Sequence, residues 1–157
     1  MTSDSPKDRA QRVLNGIKQT SNDSDDIRVS ARQKLNPLIA FFEAMSDGIS
    51  SVNPEFEIEE IEADQLMFGN YSTTFYLRNA RHEAHAIELY YGRSMGGGEP
   101  YINISGLDRD AYDRIVNEPG KDLTFPQRSY DVKVRTPEQM SLALRELERI
   151  LGAYFKL

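Results

Sequence analysis

Two histidines three residues apart, in His82-Glu83-Ala84-His85, are the first place in this chain to look for chemistry. Zinc proteases carry His-Glu-x-x-His on a helix, where a spacing of four puts both imidazoles on one face with the glutamate beside them as a base. Here the spacing is one residue short, and the surroundings read as a turn entering a strand, where residues an odd number apart point to opposite faces. No third histidine exists, and the chain has no cysteine. That removes disulfides, thiolate nucleophiles and every cysteine-based zinc site. The sequence therefore predicts no metal centre and no cofactor. A histidine paired with Glu83 or Glu88 could still act as a general base. A small enzyme or ligand-binding domain, with a pocket near His85, Glu83, Glu88 and the Gly96–Gly98 loop, is thus the alternative reading.

The glycines of that loop, in Tyr90-Tyr-Gly-Arg-Ser-Met-Gly-Gly-Gly-Glu-Pro100, do not make a phosphate cradle. A P-loop needs Lys and then Ser or Thr after its glycines; here Glu99 and Pro100 follow, and a carboxylate repels phosphate. Nor does a helix follow, as a dinucleotide fingerprint requires. The loop reads as a hairpin tip. No serine stands in a Gly-x-Ser-x-Gly elbow.

Charge is concentrated in one place. Glu55, Glu57, Glu59, Glu60, Glu62 and Asp64 fall in ten residues without Lys or Arg, and they account for the whole net charge of −6. Calcium loops interleave their acids with glycine, which this run lacks. It reads as a charged strand face, with Glu57, Glu59, Glu60 and Glu62 as a docking surface for a basic partner. The remaining charge is balanced, where a nucleic-acid binder carries a basic excess.

A second constellation consists of aromatic and arginine side chains spread over several strands. Tyr76, Arg78, Tyr90, Tyr101 and Asn103 fall on alternate positions, opposite to Phe75, Leu77, Ile87, Leu89, Ile102 and Ile104. Tyrosine and arginine combine contact area with hydrogen bonding and are enriched at interfaces. Such a face could also stack the bases of a single strand, although the arginines here are matched by Glu83, Glu88 and Glu99.

The elements that must position these residues can be read from periodicity. Ser5-Pro6 resembles a helix start, followed by a weak stripe of Ala10, Val13, Leu14 and Ile17; the polar run from Thr20 to Asp26 then reads as a linker. Residues 1–26 are expected to be a flexible or weakly helical segment, and 27–157 a single domain. Apolar positions from Ile27 to Ile49 fit a helix face, with Pro37 as a kink or a new start. Strands follow near 56–62, 73–79, 83–91 and 101–105, with a bulge expected near Glu59 and Glu60 because Ile61 is out of step. Ser105 to Asp108 reads as a capping box for a short helix, 127–135 as a fifth strand, and Thr136-Pro137-Glu138-Gln139 as the start of a long helix. Strands joined by hairpins and covered by segregated helices predict an α+β two-layer sandwich, its five-stranded, mainly antiparallel sheet covered on one face by helices.

At 157 residues, with 39% hydrophobic and 28% charged residues, the chain suits one soluble domain. No apolar run reaches the roughly 20 residues of a membrane helix, and the first residues carry no apolar signal region, so the expected setting is the cytoplasm. The expected function is a non-catalytic interaction or regulatory protein. It binds a protein partner, or itself as a homodimer, through the tyrosine and arginine face.

Overall fold

Strand alternation decides the architecture. A computed structural model describes residues 5–63, 70–81, 83–94, 97–116 and 130–156, and for 19–25, 94 and 97 the backbone alone. In chain order the elements are α1 (Pro6–Val52), β1 (Glu57–Glu62), β2 (Tyr71–Arg78), β3 (Ala84–Ser94), β4 (Gly97–Leu107), α2 (Arg109–Val116), β5 (Tyr130–Val134) and α3 (Pro137–Phe155). The sheet order is β1-β2-β3-β4-β5 with every neighbour antiparallel, a simple meander. This is the α+β sandwich that the periodicities predict.

Register places Ile58 opposite Leu77, Phe75 opposite Ile87, Leu89 opposite Ile104 and Ile104 opposite Val132, so one sheet face is a continuous apolar layer. All of these except Ile58 are fully buried. Helix α1 covers β1 to β3 and α3 covers β5, with α2 against both β5 and α3. Phe42 of α1 lies flat on Phe75, ring centroids 4.2 Å apart, and Phe155 of α3 reaches Phe56 at 5.1 Å.

Helix α1 differs from expectation. It runs 47 residues without interruption, through the polar segment 20–26 and past Pro37. Ser, Asn and Asp are weak helix formers, each costing a few tenths of a kcal/mol, and no Gly-Pro stop accompanies them. An established helix therefore propagates through them. Its start is a full capping box: Ser5 accepts from Asp8 N–H, and Asp8 returns the bond to Ser5 N–H. Ala31, Leu35, Leu38, Ile39, Phe42 and Ile49 are buried, whereas every side chain from Ser5 to Lys18 is exposed. The N-terminal half of α1 thus stands off the domain as an arm.

Two local expectations are corrected. There is no bulge at Glu59 and Glu60: the β1–β2 register is unbroken from Glu57 to Glu62, and Ile61 simply faces outward, 51% exposed. The irregularities lie at Gly92 to Ser94 and at Ile104 to Leu107. Gly106 sits in the second at φ +98°, where a Cβ would strike the Ala86 carbonyl, so only glycine fits. Ser105 belongs to β4, and Asp108 takes the start of α2, accepting from Ala111 N–H at 2.8 Å. By contrast, Thr136 and Gln139 form the expected capping box of α3.

One polar cluster fastens α2 to α3. Glu146 is buried and accepts from Arg114 at 3.0 Å and Arg149 at 2.6 Å, while Arg149 also reaches Asp108 at 2.8 Å. Burial alone would raise both carboxyl pKa values, but the bonds from Arg149, with those from Ala111 N–H to Asp108 and from Arg114 to Glu146, outweigh it. Both are held below their ordinary 3.8 and 4.5. A depressed native pKa adds stability that is complete above the unfolded value and lost as pH falls through the native one. Arg149→Met should cost about 1–3 kcal/mol at neutral pH, less than for a fully buried pair because the arginines reach solvent. The deficit should shrink as pH drops below about 4 and the wild-type pairs are protonated. Urea titrations across that range would refute this coupling by showing a constant deficit.

Candidate interaction surface

Facing away from the helices, the register collects Glu57, Glu59 and Ile61 of β1, Thr74, Tyr76 and Arg78 of β2, Ala84, Ala86, Glu88 and Tyr90 of β3, and Tyr101, Asn103 and Ser105 of β4. Tyr76, Arg78, Tyr90, Tyr101 and Asn103 therefore share one face. They form two patches. In the first, Tyr76 is 45% exposed and stands beside Ile61 and Ala84 over a shallow groove of about 280 Å³. Its rim is charged: Glu59 lies across from Tyr76, and Glu57 pairs with Arg78 at 3.4 Å.

In the second patch, the Tyr90 and Tyr101 rings lie 5.8 Å apart at 45°, and Lys133 Nζ stands 4.9 Å above the Tyr101 ring. Tyr90 packs so closely over Gly92 that a Cβ there would collide with its hydroxyl and with the Asn70 side chain. Burial, with Tyr101 nearby, pushes the Tyr90 phenol above its ordinary pKa of 10.0. It is neutral at physiological pH, a donor and an acceptor at once. Asn103 donates to Ser105 Oγ at 3.3 Å.

The acidic run is divided by its own alternation. Glu57 and Glu59 face outward, whereas Glu60 and Glu62 turn under α1, so the four do not form one docking face. Arg32 donates to Glu60 at 2.9 Å and to the Tyr71 hydroxyl at 2.9 Å; Thr73 also donates to Glu60, and Tyr71 to Glu62 at 3.1 Å. Burial works against the Arg32 charge, but the bonds to Glu60 and Tyr71 outweigh it and raise its pKa. Burial likewise raises that of Tyr71, opposed by Arg32. These groups join α1 to the sheet.

The groups of the alternative pocket do not converge. His85 lies on the helix side, its Nε2–H donating to Gly106 O at 2.8 Å and its ring 6.0 Å from Tyr154. Glu83 accepts from Asn79 Nδ2 at 3.2 Å, and Glu88 is on the opposite sheet face. His82 and Gly96 lie outside the described residues; Gly97 and Gly98 belong to β4. The cleft beside Gly98, about 660 Å³, is lined by Lys34, Tyr91, Pro100, Ile102 and Arg135 and does not include His85. Among the described residues no cluster of three or more His, Asp or Glu is placed to hold a metal, and no helix is long and apolar enough to cross a membrane.

Sequence reasoning took Ile61 for an irregularity, named neither Ala84 nor Ala86 on the open face, and put Lys133 on the wet side of the fifth strand without joining it to Tyr101. Alternation within β1 could have placed Ile61, and alternation within β3, opposite to Ile87 and Leu89, could have placed the alanines; that Lys133 lies beside Asn103 follows only from the β4–β5 register. Comparison of the chain with protein-family models, with curated proteins and with solved structures finds no match.

The two sides of the sheet should answer differently to mutation. Tyr71→Phe removes a hydroxyl that bonds the charged Arg32 and Glu62 at a partly buried joint and should cost about 1–2 kcal/mol. Tyr76→Ser, on the open face, should change stability by no more than about 0.5–1 kcal/mol. Chemical denaturation compares them directly, and a larger loss at Tyr76 would mean that this face is packed within the molecule.

Proposed function

We propose that this chain is a non-catalytic interaction module that binds a protein partner through the open face of its sheet. The observation that carries the reading is the pairing of composition with exposure. Tyr76, Arg78, Tyr90, Tyr101 and Asn103 share the one sheet face that no helix covers among the described residues. Tyrosine is suited to such a role, since it offers area and a hydrogen bond at low entropy cost.

The charges around it favour protein over nucleic acid. Arg78 is engaged by Glu57, and Glu59 and Glu88 share the face. A phosphate backbone calls for a cationic surface. Strand addition at the β1 edge is disfavoured, because β1 has the sequence Glu-Ile-Glu-Glu-Ile-Glu, and charge on an edge repels a pairing strand. The face, not the edge, is the surface we assign. A cytoplasmic setting belongs to the same proposal, since packing and ion pairs hold the fold and no cysteine crosslinks it.

A photo-crosslinking residue placed at Tyr76 or Asn103 in the native cell should give discrete adducts, identified by mass spectrometry. The same residue at Glu148, on the exposed side of α3, should give few. Adducts from Glu148 with none from the open face would overturn the reading.

A further inference from the structure

We infer that the open face is occupied by the N-terminal arm of α1 from a second copy of this chain, in a reciprocal two-fold dimer. This rests on the open face being the binding surface, and it names the partner. The arm is an exposed amphipathic helix: Val13 is 63%, Leu14 51% and Ile17 58% exposed. Ala10 completes that stripe, with Lys7 and Lys18 along one border and Arg9 along the other. On the sheet, the groove at Ile61, Tyr76 and Ala84 is bordered by Glu59 and by Glu57 paired with Arg78. An apolar stripe bordered by Lys7, Arg9 and Lys18 thus meets an apolar groove whose border, two glutamates and one arginine, is net negative.

The arm cannot reach this groove in its own molecule. Helix α1 is unbroken and lies on the other face of the sheet. It runs antiparallel to β1, since Ser46 meets Ile58, Arg32 meets Glu60 and Arg28 meets Glu62. The arm therefore leaves the domain over the Glu62 end of β1. From Asp26 back to Pro6 it is about 30 Å long, more than the roughly 20 Å of β1.

A two-fold axis in the plane of the sheet and perpendicular to α1 brings the two together. It sets two sheets end to end and turns the second over, so that its open face lies level with the underside of the first copy's helix layer. Positions along the axis are unchanged, so an arm aligned above β1 and β2 of its own copy passes above β1 and β2 of the other. The direction of the stripe agrees. Val13 and Ile17 precede Ala31 and Leu35 by about five whole turns at 3.6 residues each, so they face the same way as the buried residues, toward the sheet plane. Entering over the Glu62 end, the arm lays Ile17, Leu14 and Val13 across Ile61 and Tyr76 and carries Lys7 and Arg9 toward Glu57. The symmetry makes both contacts the same, as a closed dimer requires.

The natural absence of cysteine supplies a direct test. Two full-length variants of different mass, one with Leu14→Cys or Ile17→Cys and the other with Tyr76→Cys, are mixed and oxidised. The expected product is the mixed disulfide between arm and face. In the otherwise unaltered chain, Ile17→Glu should raise the dimer dissociation constant about tenfold or more by sedimentation equilibrium, with native circular dichroism. Preferential arm-to-arm disulfides would overturn the inference. Face-to-face disulfides would overturn the arm's role and leave the open face as the binding surface. A monomer at every concentration would overturn the dimer, and crosslinking from Tyr76 and Asn103 then decides the broader reading independently.

Discussion

The packing of α1 across β1, β2 and β3 is the constraint on which the rest of the structure depends. Phe42 stacked on Phe75 anchors it, and Leu35, Leu38 and Ile49 extend the contact along the helix. Because strand residues alternate, assigning one face to α1 assigns the other to solvent. A shift of register by one residue would exchange Phe75 with Tyr76 and Leu89 with Tyr90, burying phenols and exposing the core. Hydrophobic burial thus chooses which residues are displayed, and the display follows from the core.

Polar groups reinforce that choice at two separate joints. Arg32 reaches from α1 to Glu60 and Tyr71, and Arg149 reaches from α3 to Asp108 at the start of α2. Each arginine satisfies more than one acceptor, a geometry to which the planar guanidinium is suited. Apolar surfaces permit sliding, whereas hydrogen bonds of fixed length do not. These joints therefore define how far along the sheet each helix sits. For α1 that position also sets where the arm emerges, and so which part of a neighbouring molecule it meets.

The sheet was legible because its strands carry the period of two plainly, and the fifth strand and last helix were marked by strong local signals at Tyr130 to Val134 and Thr136 to Gln139. The division between Phe75, Leu77, Ile87, Leu89 on one face and Tyr76, Arg78, Tyr90 on the other was readable for the same reason. What was not legible depended on partners distant in sequence. Glu60 and Glu62 look solvated until Arg32 is brought over them, twenty-eight residues away from Glu60. Ile61 looked like an irregularity because an isoleucine among glutamates was assumed to face inward. The run 20–26 looked like a linker because composition alone does not show that a helix is already nucleated beyond it.

That last point bears on why a helical arm suits association. An isolated helix of a dozen residues is marginal in water, since the first turn must be ordered for little return. Here the nucleus is supplied by the packed half of α1, so each residue back to Pro6 needs only to propagate, and the Ser5 capping box closes the end. An arm already ordered loses less conformational entropy on docking than a flexible tail would. Its apolar stripe remains exposed at a modest cost because Val13, Leu14 and Ile17 are few and flanked by lysine and arginine. A long helix that outruns its own sheet is then understandable: its second half builds the domain, and its first half carries the same helical phase into a neighbour.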